Sequence, residues 1–190
     1  MHPIEHLRWL ARVDDISQAR LVAETADALW PFANEANALL ISCRSLLNRQ
    51  PTSGPLVWLA AHMLTSTDPR KAANDCVQAM ATDQMNERAH YLVGEMIEAG
   101  QAVDAVVEVL AVGPDKVLVG GDEVLMMGSE VTAVAVGAPG VEMPVQMWNG
   151  LLARAGGHGR HGAHIVDRGR FAAILLPEGV PACPLAPELY

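Results

Sequence analysis

Glycine is distributed very unevenly along this 190-residue chain, and the distribution limits the folds that the chain can adopt. Three of the sixteen glycines lie in residues 1–100, whereas thirteen lie from Gly113 onward. Glycine weakens helix interiors and favours turns, so the first part can form uninterrupted helices and the second part must turn often. We therefore predict a helical domain over residues 1–100 and a small α/β domain over residues 101–190.

Helix-start signals divide the first part into a succession of helices. Ser53 precedes Gly54-Pro55 and Asp68 precedes Pro69, and a capping side chain followed by a proline in the first turn is typical of a helix start. Apolar residues at helical spacing follow both starts. The same reasoning predicts further helices over about residues 3–13, 16–30, 34–48 and 83–100.

The second part combines short strands with helices. Apolar runs over residues 116–119 and 171–176 predict strands, and a proline-rich tail that packs irregularly or frays follows. Helices are predicted over residues 101–112, where valines recur at helical spacing, over about residues 128–137, and from Pro144 onward. The expected fold is helix-rich α/β, with the helical domain followed by a reduced Rossmann-like layer containing a short, mostly parallel sheet.

Charge and cysteine content argue against several classes of protein. A net charge of −9 at pH 7 opposes direct binding to nucleic acid or to an anionic membrane, because both need basic patches. Three scattered cysteines argue against a disulfide framework and for a reducing compartment. The N-terminus lacks the apolar core of a signal peptide, and the longest charge-free stretch, residues 50–67, is too polar to span a membrane. We therefore expect a cytoplasmic protein.

The glycine turn after the first predicted strand is the best candidate for a binding site. In open α/β sheets, ligands bind beyond the carboxyl ends of strands, where Gly120 and Gly121 would let a ligand approach and Asp122 would stand at the edge. A helix starting at Gly128 and Ser129 would present its N-terminus to a phosphate group. The alternative interpretation is a tight turn with solvated acidic side chains.

The same turn spells Gly-Gly-Asp-Glu, the core of the GGDEF signature of diguanylate cyclases. The apolar runs over residues 117–119 and 124–127 could pair as a hairpin. However, Val124 stands where that signature has phenylalanine, and the upstream segments of that family are missing. We interpret the match as a coincidence.

Three histidines and three cysteines are the other candidate reactive groups. His158, His161 and His164 could together hold zinc or nickel. The glycines around them and the cation Arg160 favour a flexible surface loop, so no metal is assigned. Cys43 and Cys76, which lie on apolar helix positions, are expected to be buried and inert, and Cys183 lies between two prolines of the tail.

Two segments resemble a known superfamily. Residues 49–53, Arg-Gln-Pro-Thr-Ser, followed by Trp58 and Met63, resemble the Arg-Pro-Thr-Ala…Trp-Ala…Met helix start of methylthioribose-1-phosphate isomerases. Residues 115–122, followed by Gly128-Ser129, resemble the Asp-x-Val-x-Val-Gly-Ala-Asp…Gly-Thr segment of the wider superfamily. That superfamily includes ribose-1,5-bisphosphate isomerase and the regulatory α, β and δ subunits of translation initiation factor 2B. The resemblance implies a helical domain before a Rossmann-like domain, with ligand contacts at Thr52 and Ser53.

The chain departs from these isomerases at their catalytic segments. Residues 33–47 contain no glycine-rich phosphate arm, and residues 83–113 contain no cysteine. Residues 123–127 are too short for the loop that carries the isomerases' catalytic aspartate. No catalytic residue or cofactor is therefore assigned.

These observations predict a non-catalytic regulatory or small-ligand-binding protein that resembles initiation factor 2B subunits. The expected ligand is a phosphorylated sugar or a nucleotide. A homodimer is expected because 51% of this short chain is hydrophobic and because the superfamily pairs through its α/β domain. The alternative function is a sugar-phosphate aldose-ketose isomerase with a rearranged site, in which Asp122 acts as acid and base.

Overall fold

Helices form the N-terminal part of the structure, which is a computed structural model. They are α1 (Pro3–Leu10), α2 (Gln18–Leu29), α3 (Ala36–Leu47), α4 (Gly54–Thr65) and α5 (Pro69–Thr82). This confirms the five helices predicted before residue 83. Of the helix predicted over residues 83–100, the described positions 87–88, 91, 94–95 and 98 are helical. The described residues are 2–13, 15–84, 87–88, 91, 94–95, 98, 109–112, 115–119, 124–129, 132–154, 164–167 and 171–190.

The helix starts follow the sequence signals closely. Ser53 Oγ accepts a hydrogen bond from the backbone N–H of Leu56, and Asp68 Oδ1 accepts one from the backbone N–H of Lys71. These bonds satisfy amide groups that have no partner within the helix. Proline occupies the first turn of α1, α4 and α5, where its missing N–H costs nothing.

Helix α4 forms the centre of the core. Its residues are buried at every position from Gly54 to Ala61, and Trp58 is 1% exposed. A helix that is apolar on all sides has no solvent-facing side, so it is stable only when other elements surround it. Helices α2, α3 and α5 pack around it.

Seven strands, one α-helix and a short 3-10 helix (Pro187–Leu189) make up the second part as described. The strands are β1 (Val109–Val112), β2 (Lys116–Leu118), β3 (Val124–Ser129), β4 (Thr132–Gly137), β5 (Glu142–Pro144), β6 (His164–Asp167) and β7 (Phe171–Leu175). Helix α6 (Val145–Arg154) follows β5 directly. The strands predicted at residues 116–119 and 171–176 and the helix predicted from Pro144 are confirmed. The order is β5-β2-β1-β6 in one sheet and β3-β4-β7 in the other.

The mostly parallel sheet predicted from the sequence is wrong. Strands β1–β2, β2–β5 and β3–β4 pair antiparallel, and only β1–β6 and β4–β7 pair parallel among the described strands. For β1–β2 and β3–β4 the reason is the short connection between the two strands. Only residues 130–131 separate β3 from β4, and a parallel pair needs a crossover of a dozen or more residues.

One helix predicted in this part is also wrong, and a second is wrong over its described residues. Gly128 and Ser129 end β3, and Thr132–Gly137 is β4, with Ser129 opposite Thr132. Their alternation of β-branched residues with alanine suits a pleated strand. Of the helix predicted over 101–112, residues 109–112 are strand β1, which pairs on both sides, and residues 101–108 lie outside the described residues.

The proline-rich tail was expected either to pack irregularly or to fray, and in the structure it packs irregularly against the helices. We call residues 177–190 the C-terminal strap. Ala186 and Leu189 are fully buried, and Trp58 Nε1 donates a 3.0 Å hydrogen bond to the carbonyl of Pro181. Arg44 Nε donates to the carbonyl of Glu188 at 2.6 Å. The strap therefore belongs to the same core as α4.

Among the described residues, the helices share one hydrophobic cluster with strands β2 and β5, helix α6 and the C-terminal strap. A Cβ added to Gly54 would lie 1.9 Å from the carbonyl oxygen of Val119, so only glycine allows α4 to approach the sheet this closely. The boundary predicted near Gly100 falls outside the described residues and stays a prediction. In the part of the chain that is described, no helix combines the length and apolar character that a membrane crossing requires.

Candidate functional site

The predicted phosphate site lacks the helix on which its prediction depended. Gly128 and Ser129 lie in strand β3, opposite Ala133 and Thr132, so no helix begins there. Gly120, Gly121 and Asp122 lie outside the described residues. Ligand binding at these five positions stays a prediction without support from a helix N-terminus.

The hairpin suggested by the Gly-Gly-Asp-Glu match does not form. Strand β2 belongs to the four-stranded sheet and β3 to the three-stranded sheet, so the two apolar runs do not pair with each other. This agrees with the interpretation of that match as a coincidence.

Thr52 and Ser53 lie immediately before α4, where Ser53 links the start of this helix to α2. Ser53 is 4% exposed, caps the helix, and donates a hydrogen bond from its hydroxyl to Gln18 Oε1. The one donor and one of the two acceptor lone pairs of that hydroxyl are therefore used within the protein. Thr52 is half-buried beside it, and ligand binding by the pair stays a prediction.

The histidine cluster is described only at its last member. His158 and His161 lie outside the described residues, and His164 lies in β6, paired with Val109. Within the described ranges, no group of three His, Cys, Asp or Glu residues is placed to hold a metal ion.

The cysteines are buried free thiols, as expected for Cys43 and Cys76. Burial raises the pKa of Cys43, Cys76 and Cys183 to about 12 in each case. A thiol with such a pKa is protonated at neutral pH, and the thiolate is the nucleophile, so these groups are unsuited to nucleophilic catalysis.

A cationic pocket lies between α1 and α3, and we call it the arginine pocket. It encloses about 360 Å³. Its apolar wall consists of Ile4, Leu7, Ala11, Ile41 and Leu46, and its polar groups are Arg8, Arg12, Ser42, Ser45 and Arg49. The three guanidinium groups meet no carboxylate among the described lining residues, although the whole chain carries a net charge of −9.

The arginines differ in how far they are already engaged. Arg8 Nη1 forms a 2.6 Å ion pair with Glu5 Oε1, and both side chains are exposed. Exposed pairs of this kind contribute about 0–1 kcal/mol, so a ligand can replace the contact at small cost. Arg12 and Arg49 form no hydrogen bond or ion pair through their side chains with any residue that the structure describes. Their charges are available to an anion.

Gln50 brings these two arginines together. Arg12 follows the end of α1, and Arg49 follows the end of α3. The Gln50 Nε2 atom donates hydrogen bonds to the carbonyls of Val13, at 3.0 Å, and Leu10, at 3.4 Å. Gln50 is 8% exposed, so it ties the two helix ends together from inside the protein.

Sequence reasoning missed the arginine pocket because no single motif contains both arginines. Arg49 begins the Arg-Gln-Pro-Thr-Ser segment that resembles the isomerases, whereas Arg12, 37 positions away, belongs to no motif. Gln50 gave no usable signal either, because the burial of this polar residue becomes visible only in the fold.

A second pocket lies between α4, α5 and the C-terminal strap, and we call it the His62 pocket. It encloses about 330 Å³. The Trp58 and His62 rings meet edge to face with centroids 5.4 Å apart, and Lys71 Nζ lies 2.6 Å from Asp75 Oδ2. The lining residues are Trp58, His62, Thr65, Ser66, Lys71, Ala72, Asp75, Cys76 and Pro181.

His62 is a half-buried histidine of this pocket. Its Nε2 atom is buried and has no hydrogen-bond partner among the described residues. Burial lowers the pKa of His62 below its ordinary value, and hydrogen bonding to the backbone of Ala182 and Pro181 and the charge of Asp75 oppose this only in part. The imidazole is therefore neutral at pH 7 and can either donate or accept a hydrogen bond.

Comparison with protein families, with curated proteins and with solved structures finds no match for this chain.

Proposed function

We propose that this protein is a non-catalytic binding module whose arginine pocket takes a small phosphorylated molecule, a sugar phosphate or a nucleotide. One observation carries the proposal: Arg12 and Arg49 converge on a ligand-sized cavity without a carboxylate partner among the described residues. An acidic chain that gathers unpaired cations at one place is suited to concentrate an anion there.

The donors of the pocket match a phosphate group. Guanidinium groups bind phosphate with two parallel N–H···O bonds, and such charge-assisted bonds are about twice as strong as neutral ones. Ser42 and Ser45 supply hydroxyl donors from the same side of α3. The apolar wall, with Ile41 67% exposed, offers a face for a sugar or a base. A cavity of about 360 Å³ lies in the usual range for small-molecule sites.

The lining chemistry favours binding over turnover. Arginine stays protonated at physiological pH and does not serve as a proton acceptor. The serine hydroxyls have no histidine or carboxylate beside them among the described lining residues, so neither has a base to activate it. This supports a regulatory role, in line with the resemblance to initiation factor 2B subunits. The isomerase alternative depends on Asp122, which lies outside the described residues.

Calorimetric titration of the purified protein tests the proposal. Inorganic phosphate, ribose 1,5-bisphosphate, methylthioribose 1-phosphate and AMP are titrated into the natural chain and into Arg12→Gln/Arg49→Gln. Each lost charge-assisted hydrogen bond costs about 1.5–3 kcal/mol, so we expect the double variant to bind at least about tenfold more weakly. The matched control is Arg20→Gln, an exposed arginine of α2 outside the pocket.

Two further variants separate this site from the one predicted at the glycine turn. Asp122→Asn and Ser129→Ala should leave binding unchanged. Binding that is lost in these variants but kept in Arg12→Gln/Arg49→Gln would move the ligand to the glycine turn and refute the arginine pocket. Conversion of an aldose phosphate to a ketose by the natural chain, abolished in Asp122→Asn, would establish the isomerase instead.

A further inference from the structure

We propose that the His62 pocket is a second binding site, for a free α-amino acid with an apolar side chain. The site shares no lining residue with the arginine pocket and does not depend on the function proposed above.

The charged groups of this pocket form a dipole. Lys71 and Asp75 are the charged residues among its described lining, one positive and one negative, and they stand one helical turn apart on α5. A simple anion would meet the Asp75 carboxylate, and a simple cation would meet the Lys71 ammonium group. A zwitterion avoids both repulsions, because its carboxylate can face Lys71 while its ammonium group faces Asp75.

The Lys71–Asp75 contact can open to admit such a ligand. The two side chains are 70% and 58% exposed, and exposed ion pairs contribute about 0–1 kcal/mol to stability. Breaking the Lys71–Asp75 ion pair to form two ion pairs with the ligand therefore costs the protein little free energy. Both groups also remain attached to a well-capped helix, since Asp68 holds the first turn of α5.

The rest of the pocket is suited to an apolar side chain. Trp58, Ala72, Cys76 and Pro181 form a largely apolar wall, and the Trp58 ring is fixed by its 3.0 Å hydrogen bond to the carbonyl of Pro181. The volume of about 330 Å³ leaves room for a residue of the size of leucine or methionine.

His62 contributes a half-buried imidazole to the lining of the pocket. Its Nε2 atom is buried and has no hydrogen-bond partner among the described residues. The imidazole lines the same cavity as Lys71 and Asp75.

Calorimetric titration with three matched probes tests the zwitterion requirement. L-Leucine carries both charges, isovalerate carries only the carboxylate, and isoamylamine carries only the ammonium group. We expect leucine to bind at least about tenfold more tightly than either single-charge probe, the difference that one charge-assisted hydrogen bond provides. Equal binding of isovalerate would show an anion site, and equal binding of isoamylamine a cation site. Either result overturns the proposal, as does the absence of leucine binding at millimolar concentration.

Paired variants test the residues. Lys71→Gln/Asp75→Asn should bind leucine at least about tenfold more weakly than the natural chain. The control is Arg20→Gln/Glu24→Gln, which removes a pair at the same helical spacing on α2, where Arg20 is exposed and the half-buried Glu24 also contacts His6. Because Lys71 and Asp75 are both exposed, Lys71→Gln/Asp75→Asn should fold, and circular dichroism can verify the fold of both variants. Unchanged leucine binding in Lys71→Gln/Asp75→Asn would refute the site, whatever the phosphate titrations show.

Discussion

Replacing Gln50 with methionine tests whether one buried amide holds the arginine pocket together. Methionine keeps the length and approximate volume of the side chain but has no N–H donor. The carbonyls of Val13 and Leu10 then lose the hydrogen bonds that reach them at 3.0 and 3.4 Å. The local consequence is that the end of α1 is no longer tied to the end of α3.

The expected cost follows from these two bonds. A well-formed neutral hydrogen bond contributes about 1 kcal/mol, and the longer bond to Leu10 contributes less. Leaving buried carbonyl groups without a partner raises the cost, since each such group can lose about 1–3 kcal/mol. We therefore expect Gln50→Met to lower the free energy of unfolding by about 1.5–3 kcal/mol.

Urea denaturation followed by tryptophan fluorescence measures this difference, because Trp58 is buried at the centre of the core. The matched control is Gln78→Met, the same substitution at an exposed position of α5, which should change stability by less than about 0.5 kcal/mol. Equal stability of the two variants would refute the claim that the Gln50 hydrogen bonds hold the ends of α1 and α3 together. If Gln50→Met is destabilised but binds phosphate ligands as tightly as the natural chain, then Gln50 stabilises the fold without positioning Arg12 and Arg49.

Three further predictions concern the close approach at Gly54, the pH dependence caused by His62, and the oligomeric state. Gly54→Ala would place its Cβ 1.9 Å from the Val119 carbonyl oxygen, so we expect it to lower the free energy of unfolding, measured in urea, by at least about 2 kcal/mol. The control is Gly94→Ala, whose Cβ meets open space in a helical segment, so this variant should be as stable as the natural chain or more stable. The pKa of His62 is lowered in the folded state, so the unfolded chain takes up this proton first as the pH falls below about 6.5. Stability should therefore fall with pH from that point, and a urea midpoint as pH-dependent in His62→Gln as in the natural chain would contradict this. The homodimer expected from the sequence should give the mass of two chains in light scattering, and the mass of one chain at micromolar concentration would contradict it.

Local signals made the helical part predictable. Ser53 and Asp68 each cap a helix whose first turn contains a proline, and both starts lie where the sequence placed them. Each signal lies within four residues, so it needs no knowledge of the rest of the fold. The helix after Pro144 was predictable for the same reason.

The sheets were harder to predict because their pairing is decided far along the chain. The segment Thr132–Gly137 alternates small and β-branched residues, and a short apolar run of this kind fits a helix or a strand equally well. Its partner on one side, β3, is close in sequence, but its partner on the other side is β7, which begins at Phe171. The pairing with β7 is what places this segment inside a sheet, and the sequence around residues 132–137 gives no sign of that distant partner.

The candidate site shows the same limit in a stronger form. The glycine turn at Gly120-Gly121 predicts a phosphate site from the sequence alone. In the structure, the start of the helix that this site required is part of strand β3. Arg12 and Arg49 suggest nothing individually, since an isolated arginine near a helix end is common at protein surfaces. They become a candidate site only because Gln50 joins the ends of α1 and α3 inside the protein. The choice between the glycine turn and the arginine pocket therefore depends on a buried contact that is distant in sequence, and for this reason the Gln50→Met experiment bears on function as well as on stability.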